Sequence, residues 1–164
     1  MFIIFEGHDL VGKTTLAEEF SRQTGIEIFR RFVVKKLDNW MKYIDVIAEV
    51  EYNALKHFKN DLILDRSFVS SIVYEKVYQR NYDMSYVNFS DFPKHLIVYM
   101  YLSKEKLEER LEERAEDFII KKRIFELKDA YDEFFSSNHN LNVVRIDGSL
   151  ELDEKMKLIL DRRG

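Results

Sequence analysis

Apolar residues along this chain keep two rhythms that alternate from one end to the other. Short runs such as Phe2-Ile3-Ile4-Phe5 and Leu62-Ile63-Leu64 are unbroken, the pattern of a strand buried on both faces. Between the runs, apolar residues recur every three or four positions, the spacing of a helix with one covered face. Strands are predicted at Phe2–Phe5, from Glu27 to about Phe29, at Asp61–Asp65, at His95–Leu102 and at Asn142–Ile146. Leu16, Ala17 and Phe20 mark the first helix, which Thr24-Gly25 ends with glycine as a left-handed cap. Trp40, Tyr43, Ile44, Ile47, Ala48, Leu55 and Phe58 predict one long helix from about 39 to 59. Further helices are predicted from Ser67 to Tyr78, from 104 to 135 with a break near 115–120, and after Asp147-Gly148-Ser149, where Leu152, Met156, Ile159 and Leu160 recur. Ser103 is suited to N-cap the helix that follows it. Residues 80–93 have no periodicity and read as a loop or short helix closed by Pro93. Five strands alternating with helices make an α/β fold, a parallel sheet covered on both faces.

The first turn carries chemistry. Residues 7–14 read Gly-His-Asp-Leu-Val-Gly-Lys-Thr, directly behind the first strand and ahead of the first helix. That is the phosphate-cradling P-loop in its proper context. Gly7 and Gly12 allow consecutive N–H groups to point at one anion, and the helix beginning near Lys13 adds its positive end. Lys13 is placed to reach the outer phosphates and the Thr14 hydroxyl to ligate Mg²⁺. The loop from Gly7 through His8, Asp9, Leu10, Val11, Gly12, Lys13 and Thr14 to Thr15 is the candidate nucleotide site, with the His8 side chain expected to face solvent.

Net charge is −4, which argues against a broad nucleic-acid-binding face. A polyanionic ligand must then be met by a local cluster of cations, so the arginines become informative. Asp65-Arg66-Ser67 closes the third strand, where ligands bind in such sheets. An arginine there is a fork for phosphate or carboxylate, or else the partner of Asp65 in a structural ion pair. Neither the DxxG nor the NKxD-type sequence of GTPases occurs. The chain contains no cysteine, so disulfides, thiolate metal sites and a cysteine nucleophile are excluded, which fits a cytoplasmic protein. Met1–Phe5 is too short for a signal sequence, and no apolar run approaches a membrane span. By length, residues 1–164 are read as one domain.

The segments FIIFEGHDLVGKTTLAEEF, ILDRSFVSSIVYE, YLSKEKLEERLEER and VVRIDGSLELDEKM together resemble the thymidylate kinase family of P-loop nucleoside monophosphate kinases. The resemblance implies a three-layer αβα fold, with strand order 2-3-1-4-5 and a short helical lid over about 110–123. It implies transfer of phosphate from ATP, with Mg²⁺, to a deoxynucleoside monophosphate. Lys13 and Thr14 would hold the ATP phosphates and metal. Asp9 would contact the acceptor sugar and lie near the metal, with Asp65 also beside it. Arg66 would bridge the acceptor phosphate and the transferred group, Ser71 would face the base, and Tyr74 would pack against the deoxyribose. Arg110 and Arg114, one helical turn apart, would supply the lid cations, ahead of the Lys121-Lys122-Arg123 cluster. The acceptor-phosphate arginine that the family carries after its second strand corresponds to Arg30 or Arg31, though the family's Arg-Glu-Pro is here Phe29-Arg30-Arg31-Phe32. Trp40 and Tyr43 stand near the family's base-reading positions, without its base-reading arginine. The apolar face of the long helix could serve a homodimer. Two other readings stand beside this one: a deoxynucleoside kinase acting on a 5′-hydroxyl, since Asp65-Arg66-Ser67 also occurs in such enzymes, and an ATP-binding module without turnover.

Overall fold

The computed structural model describes residues 1–30, 44–79, 83–114 and 118–163. In chain order the elements are β1 (Phe2–Glu6), α1 (Lys13–Thr24), β2 (Ile28–Arg30), α2 (Ile44–Leu55), β3 (Leu62–Asp65), α3 (Phe68–Tyr78), β4 (His95–Tyr101), α4 (Lys104–Glu113), α5 (Phe118–Ser137), β5 (Val143–Asp147) and α6 (Leu152–Arg163), with a 3₁₀ turn at Phe89–Asp91. The five strands form one parallel sheet in the order β2-β3-β1-β4-β5. This is the α/β architecture and strand order expected.

Strand alternation decides which residue meets which layer. Ile3 and Phe5 point to the side closed by α1, α4 and α6, where Leu16, Phe20, Leu107 and Ile159 are buried. Phe2 and Ile4 point to the opposite side, closed by α2, α3 and α5, where Tyr52, Phe68 and Tyr131 are buried. Glu6 continues the second set and is itself fully buried. The register pairs Phe5 with Asp65. The turn after β1 and the turn after β3 therefore open side by side, at the carboxyl edge where such sheets bind ligands.

Several boundaries differ from the sequence reading, most by one or two residues. α2 ends at Leu55 rather than near 59, because the chain leaves the helix to bring Phe58 against Phe2, ring centroids 6.2 Å apart, before it enters β3. The half of that predicted helix holding Trp40 and Tyr43 lies outside the described residues, as does Arg31. On the apolar face expected to serve a homodimer, Val46 and Val50 are exposed. β2 runs from Ile28 to Arg30, and the charged segment after β4 is two helices, α4 and α5, on either side of the expected break, with 115–117 outside the described residues. The predicted caps formed: Ser103 Oγ accepts from the Lys106 N–H at 3.2 Å, and Gly25 takes φ +71° after α1. No described helix is long and apolar enough to cross a membrane.

Candidate active site

The loop after β1 is shaped by two glycines with different tasks. At Gly7 (φ +139°) a Cβ would sit 2.2 Å from the Met100 carbonyl oxygen, so only a bare α-carbon lets the loop pass over β4. Gly12 (φ +87°) is the N-cap of α1, and its left-handed backbone turns the next N–H groups toward the loop centre. Val11 is fully buried and anchors the loop to the core. Lys13 is 6 % exposed, and its Nζ donates to the His8 carbonyl at 2.5 Å. Burial first, and then the neighbouring Arg66 charge, bring its ammonium down to about 7. Thr14 Oγ1 donates to Asp65 Oδ2 at 2.9 Å, joining the start of α1 to the end of β3.

Arg66 follows β3 with φ +71°, a left-handed conformation unusual for a side-chain-bearing residue. Such backbone costs about 1–2 kcal/mol and persists where surrounding structure holds it. The holding groups are identifiable. Its N–H donates to the Phe5 carbonyl at 3.0 Å. Its Nη1 donates to the Gly7 carbonyl, Ser70 Oγ and the Tyr131 hydroxyl at 3.3–3.4 Å, and its Nη2 is ion-paired with Asp9. The guanidinium carbon also lies 5.4 Å from the Tyr74 ring centre, within cation–π range. Burial opposes the charge, but Tyr131, Tyr74, Asp9 and Glu6 together outweigh it, so the guanidinium is held charged. The alternative pairing with Asp65 is not formed: Asp65 takes the Thr14 hydroxyl, and Arg66 turns the other way.

These groups open on one cleft of about 690 Å³. It is lined by Lys13, Arg30, Arg66, Arg110 and Arg114, against Asp9, Asp65 and Glu113. In a chain of net charge −4, this is the local excess of cations that a polyanion requires. Leu10, Gly12, Thr14 and Thr15 complete the lining. Arg30, at the end of β2, is ion-paired with Glu18. Arg110 donates to the Leu10 carbonyl and, at 3.1 Å, to the Gly148 carbonyl, which ties it to the loop rather than leaving it free. Arg114 caps the carboxyl end of α4. The Tyr74 hydroxyl reaches Asp9 Oδ2 at 3.5 Å, and burial raises its pKa to about 12. Ser71 is buried in α3 and is not part of the lining.

No protein-family model matches the chain. It is similar to the thymidylate kinase of Campylobacter lari, at 26 % identity over 190 aligned positions that span 96 % of this chain and 97 % of that protein. The chain thus resembles a thymidylate kinase along its whole length and has the fold of P-loop kinases. Among solved structures, a deoxyadenosine kinase from M. mycoides with bound dATP superposes with a TM-score of 0.71 at 20 % identity, covering 99 % of each chain. The thymidylate kinase of Candida albicans superposes with a TM-score of 0.66 at 16 % identity, covering 98 % of this chain and 89 % of that one. At those identities the likeness establishes the fold alone.

One expectation is overturned. His8 does not face solvent; it is fully buried beneath the loop. The loop closes on its own backbone, which sends the side chains of His8 and Val11 into the protein. His8 Nδ1 donates to the Asp9 carbonyl at 2.6 Å, and Nε2 is left without a partner. Burial lowers its pKa from 6.5 to about 4. Above pH 6.5 the residue is neutral whether folded or unfolded. As pH falls from 6.5 toward 4 the unfolded chain takes up the proton first, and stability drains away. The loss is complete below about 4 and amounts to about 3 kcal/mol. The unfolding free energies of wild type and His8→Leu are therefore expected to run parallel above pH 6.5 and to diverge in favour of the variant toward pH 4. Parallel curves across the whole range would show that His8 carries no such penalty.

Three residues at the site went unnoticed in the sequence: Glu6, Ser70 and Tyr131. Strand alternation could have placed Glu6 on the α3 and α5 side of the sheet. Nothing in the local pattern separates Tyr131 from an ordinary core aromatic, and its partner Glu6 is 125 residues away.

Proposed function

We propose that this chain transfers the terminal phosphoryl group of ATP to a deoxynucleoside monophosphate. One observation carries the reading: the cleft that meets the phosphate loop is walled by arginines on its acceptor side, Arg66 at the end of β3 and Arg30 at the end of β2. Two phosphate groups repel, and the work of such a site is to hold them in line while spreading the charge. The acceptor's phosphate oxygen, ionised near neutral pH, attacks the terminal phosphorus. The bond from that phosphorus to the bridging oxygen breaks, and ADP leaves. No general base is needed. Lys13 and the loop N–H groups meet the donor phosphates, Arg66 and Arg30 meet the acceptor, and Arg114 borders the cleft where charge develops.

Thr14 and Asp65 present oxygen donors 2.9 Å apart beside Lys13, and Asp9 adds a further carboxylate on the cleft wall. Among the described residues no three acidic or imidazole groups converge into a complete cage. That suits Mg²⁺, which is held by one or two protein oxygens and completed by phosphate and water. When bound, it would offset the charge of the donor phosphates.

A second reading, phosphorylation of a deoxynucleoside, rests on Asp65-Arg66-Ser67. A neutral hydroxyl acceptor needs a carboxylate base beyond β2. Among the described residues, Glu27 precedes β2 and lines a separate groove with Phe29 and Leu55. That weighs toward the monophosphate. The test offers the protein Mg-ATP with a panel of deoxynucleosides and of ribo- and deoxynucleoside monophosphates, following ADP release and product mass. Deoxynucleoside monophosphates are expected to be converted to diphosphates. Phosphorylation of nucleosides alone would overturn the reading, and ATP binding without turnover would leave a binding module.

A further inference from the structure

Glu6 ends β1 with a carboxylate fully enclosed by protein. A buried carboxylate needs cations or several hydrogen bonds to keep its charge. Among the described residues, the direct contacts of Glu6 are hydrogen-bond donors. Its oxygens accept from the Ser67 N–H and hydroxyl at 2.7 Å each, from the Ser70 hydroxyl at 2.7 Å and N–H at 3.3 Å, and from the Tyr131 hydroxyl at 3.0 Å. The backbone donors account for one consequence: Glu6 anchors the start of α3. The hydroxyls account for another, because their far sides face Arg66. Ser70 Oγ and the Tyr131 hydroxyl lie 3.3 and 3.4 Å from Arg66 Nη1 and 2.8 Å from each other.

Each hydroxyl has one proton to give, and the guanidinium accepts none. The two hydroxyl protons therefore serve Glu6 and the Ser70–Tyr131 contact, which leaves oxygen lone pairs facing Nη1. The carboxylate's charge reaches the arginine through two oriented dipoles. With the Gly7 carbonyl, these oxygens hold the inner edge of the guanidinium and leave Nη2 on the cleft side, beside Asp9.

We infer that Glu6, acting through Tyr131 and Ser70, is a positioning residue that aims Arg66 at the acceptor. The inference rests on the reading of Arg66 as the acceptor's cation. Simple core packing does not account for the Tyr131 hydroxyl. The ring stacks on Tyr99 and Phe135, centroids 6.0 and 6.4 Å apart, and a phenyl group would do that equally well. The hydroxyl is the part that reaches Glu6, Ser70 and Arg66.

The test is a Tyr131→Phe variant assayed with Mg-ATP and the monophosphate turned over fastest, in the wild-type and Arg66→Ala backgrounds. In the wild-type background kcat is expected to fall about tenfold through misaiming, with KM for ATP moving less than about twofold. In the Arg66→Ala background the same change is expected to cost nothing further. An equal loss in both backgrounds would mean a structural hydroxyl only, and would overturn the inference. A second measurement is independent of turnover. Guanidinium ¹⁵N NMR of the full chain, with Arg66 assigned by its loss in Arg66→Lys, should show separate Nη signals that merge in Tyr131→Phe and in Ser70→Ala. Unchanged signals would equally overturn it. If the wild type phosphorylates no monophosphate, the acceptor reading fails by itself, and the NMR still decides whether Tyr131 holds Arg66. Ser70→Ala and Tyr131→Phe are used because Glu6→Gln removes an anchor of α3 and risks the fold.

Discussion

A Lys13→Met variant is expected to lose about a thousandfold or more in turnover and yet to resist unfolding better than the wild type near pH 6. The first effect follows from position. Lys13 lies at the first residue of α1, its ammonium against the loop carbonyl of His8, where the proposed reading has it follow the donor phosphates through transfer. Methionine keeps an unbranched apolar stem and loses the charge. The second effect follows from burial. The ammonium ordinarily titrates near 10.5 and in the folded chain near 7. Below pH 7 both folded and unfolded chains carry the proton, so the whole cost of enclosing the charge weighs against the fold. Between 7 and 10.5 the folded chain is largely neutral while the unfolded chain stays charged, and the penalty shrinks with every step upward. Above 10.5 it is gone. A gap of that size is worth about 4–5 kcal/mol when fully present. Urea unfolding without nucleotide at pH 6 and pH 9.5, beside an ADP-release assay, checks both halves. The variant's stability advantage should be large at pH 6 and small at 9.5. Turnover at the wild-type rate would remove Lys13 from the donor site, and a variant weaker than wild type at pH 6 would refute the burial argument.

Arg66→Ala is expected to cost about 10²–10³ in turnover, with KM rising for the acceptor and little change for ATP. The loss has two sources. The fork proposed to meet the acceptor phosphate disappears, and Asp9, now without its ion-pair partner, places a bare carboxylate on the wall of the same cleft. Backbone strain does not confuse the result, because alanine at φ +71° is no more strained than arginine. Arg66→Lys should recover only part of the rate, since a point charge cannot reproduce the planar fork. Initial rates against acceptor concentration at saturating Mg-ATP separate these cases. Rates near wild type in Arg66→Ala would remove the acceptor-phosphate assignment.

Both variants touch features of unequal legibility. The phosphate loop was readable because everything that makes it lies within one short stretch of chain: a strand, two glycines at set offsets, Lys-Thr and a helix. The parallel sheet was readable because strands buried on both faces leave unbroken apolar runs. The end of α2 was misjudged because Phe58 continues the helical spacing, while its packing against Phe2 pulls the chain out of the helix. His8 was misplaced because sequence shows that a loop is polar but not how it closes. The pairing of Arg66 was left open between phosphate and Asp65. Neighbouring residues at a strand end leave in different directions, and here Asp65 reached Thr14 while Arg66, turned by its left-handed backbone, met Asp9.

By itself, then, the order of residues determined the elements, their alternation and the presence of an anion-binding turn. Each depends on covalent geometry and on near neighbours along the chain. Only the tertiary structure decided which charges face one another: Lys13 drawn beneath the loop, Arg66 between Asp9 and the hydroxyls of Ser70 and Tyr131, and Glu6 sealed behind them. Electrostatic and hydrogen-bond energies depend on separation through space and on exclusion of water. The chain sets neither until β1, β3 and α5 are packed together.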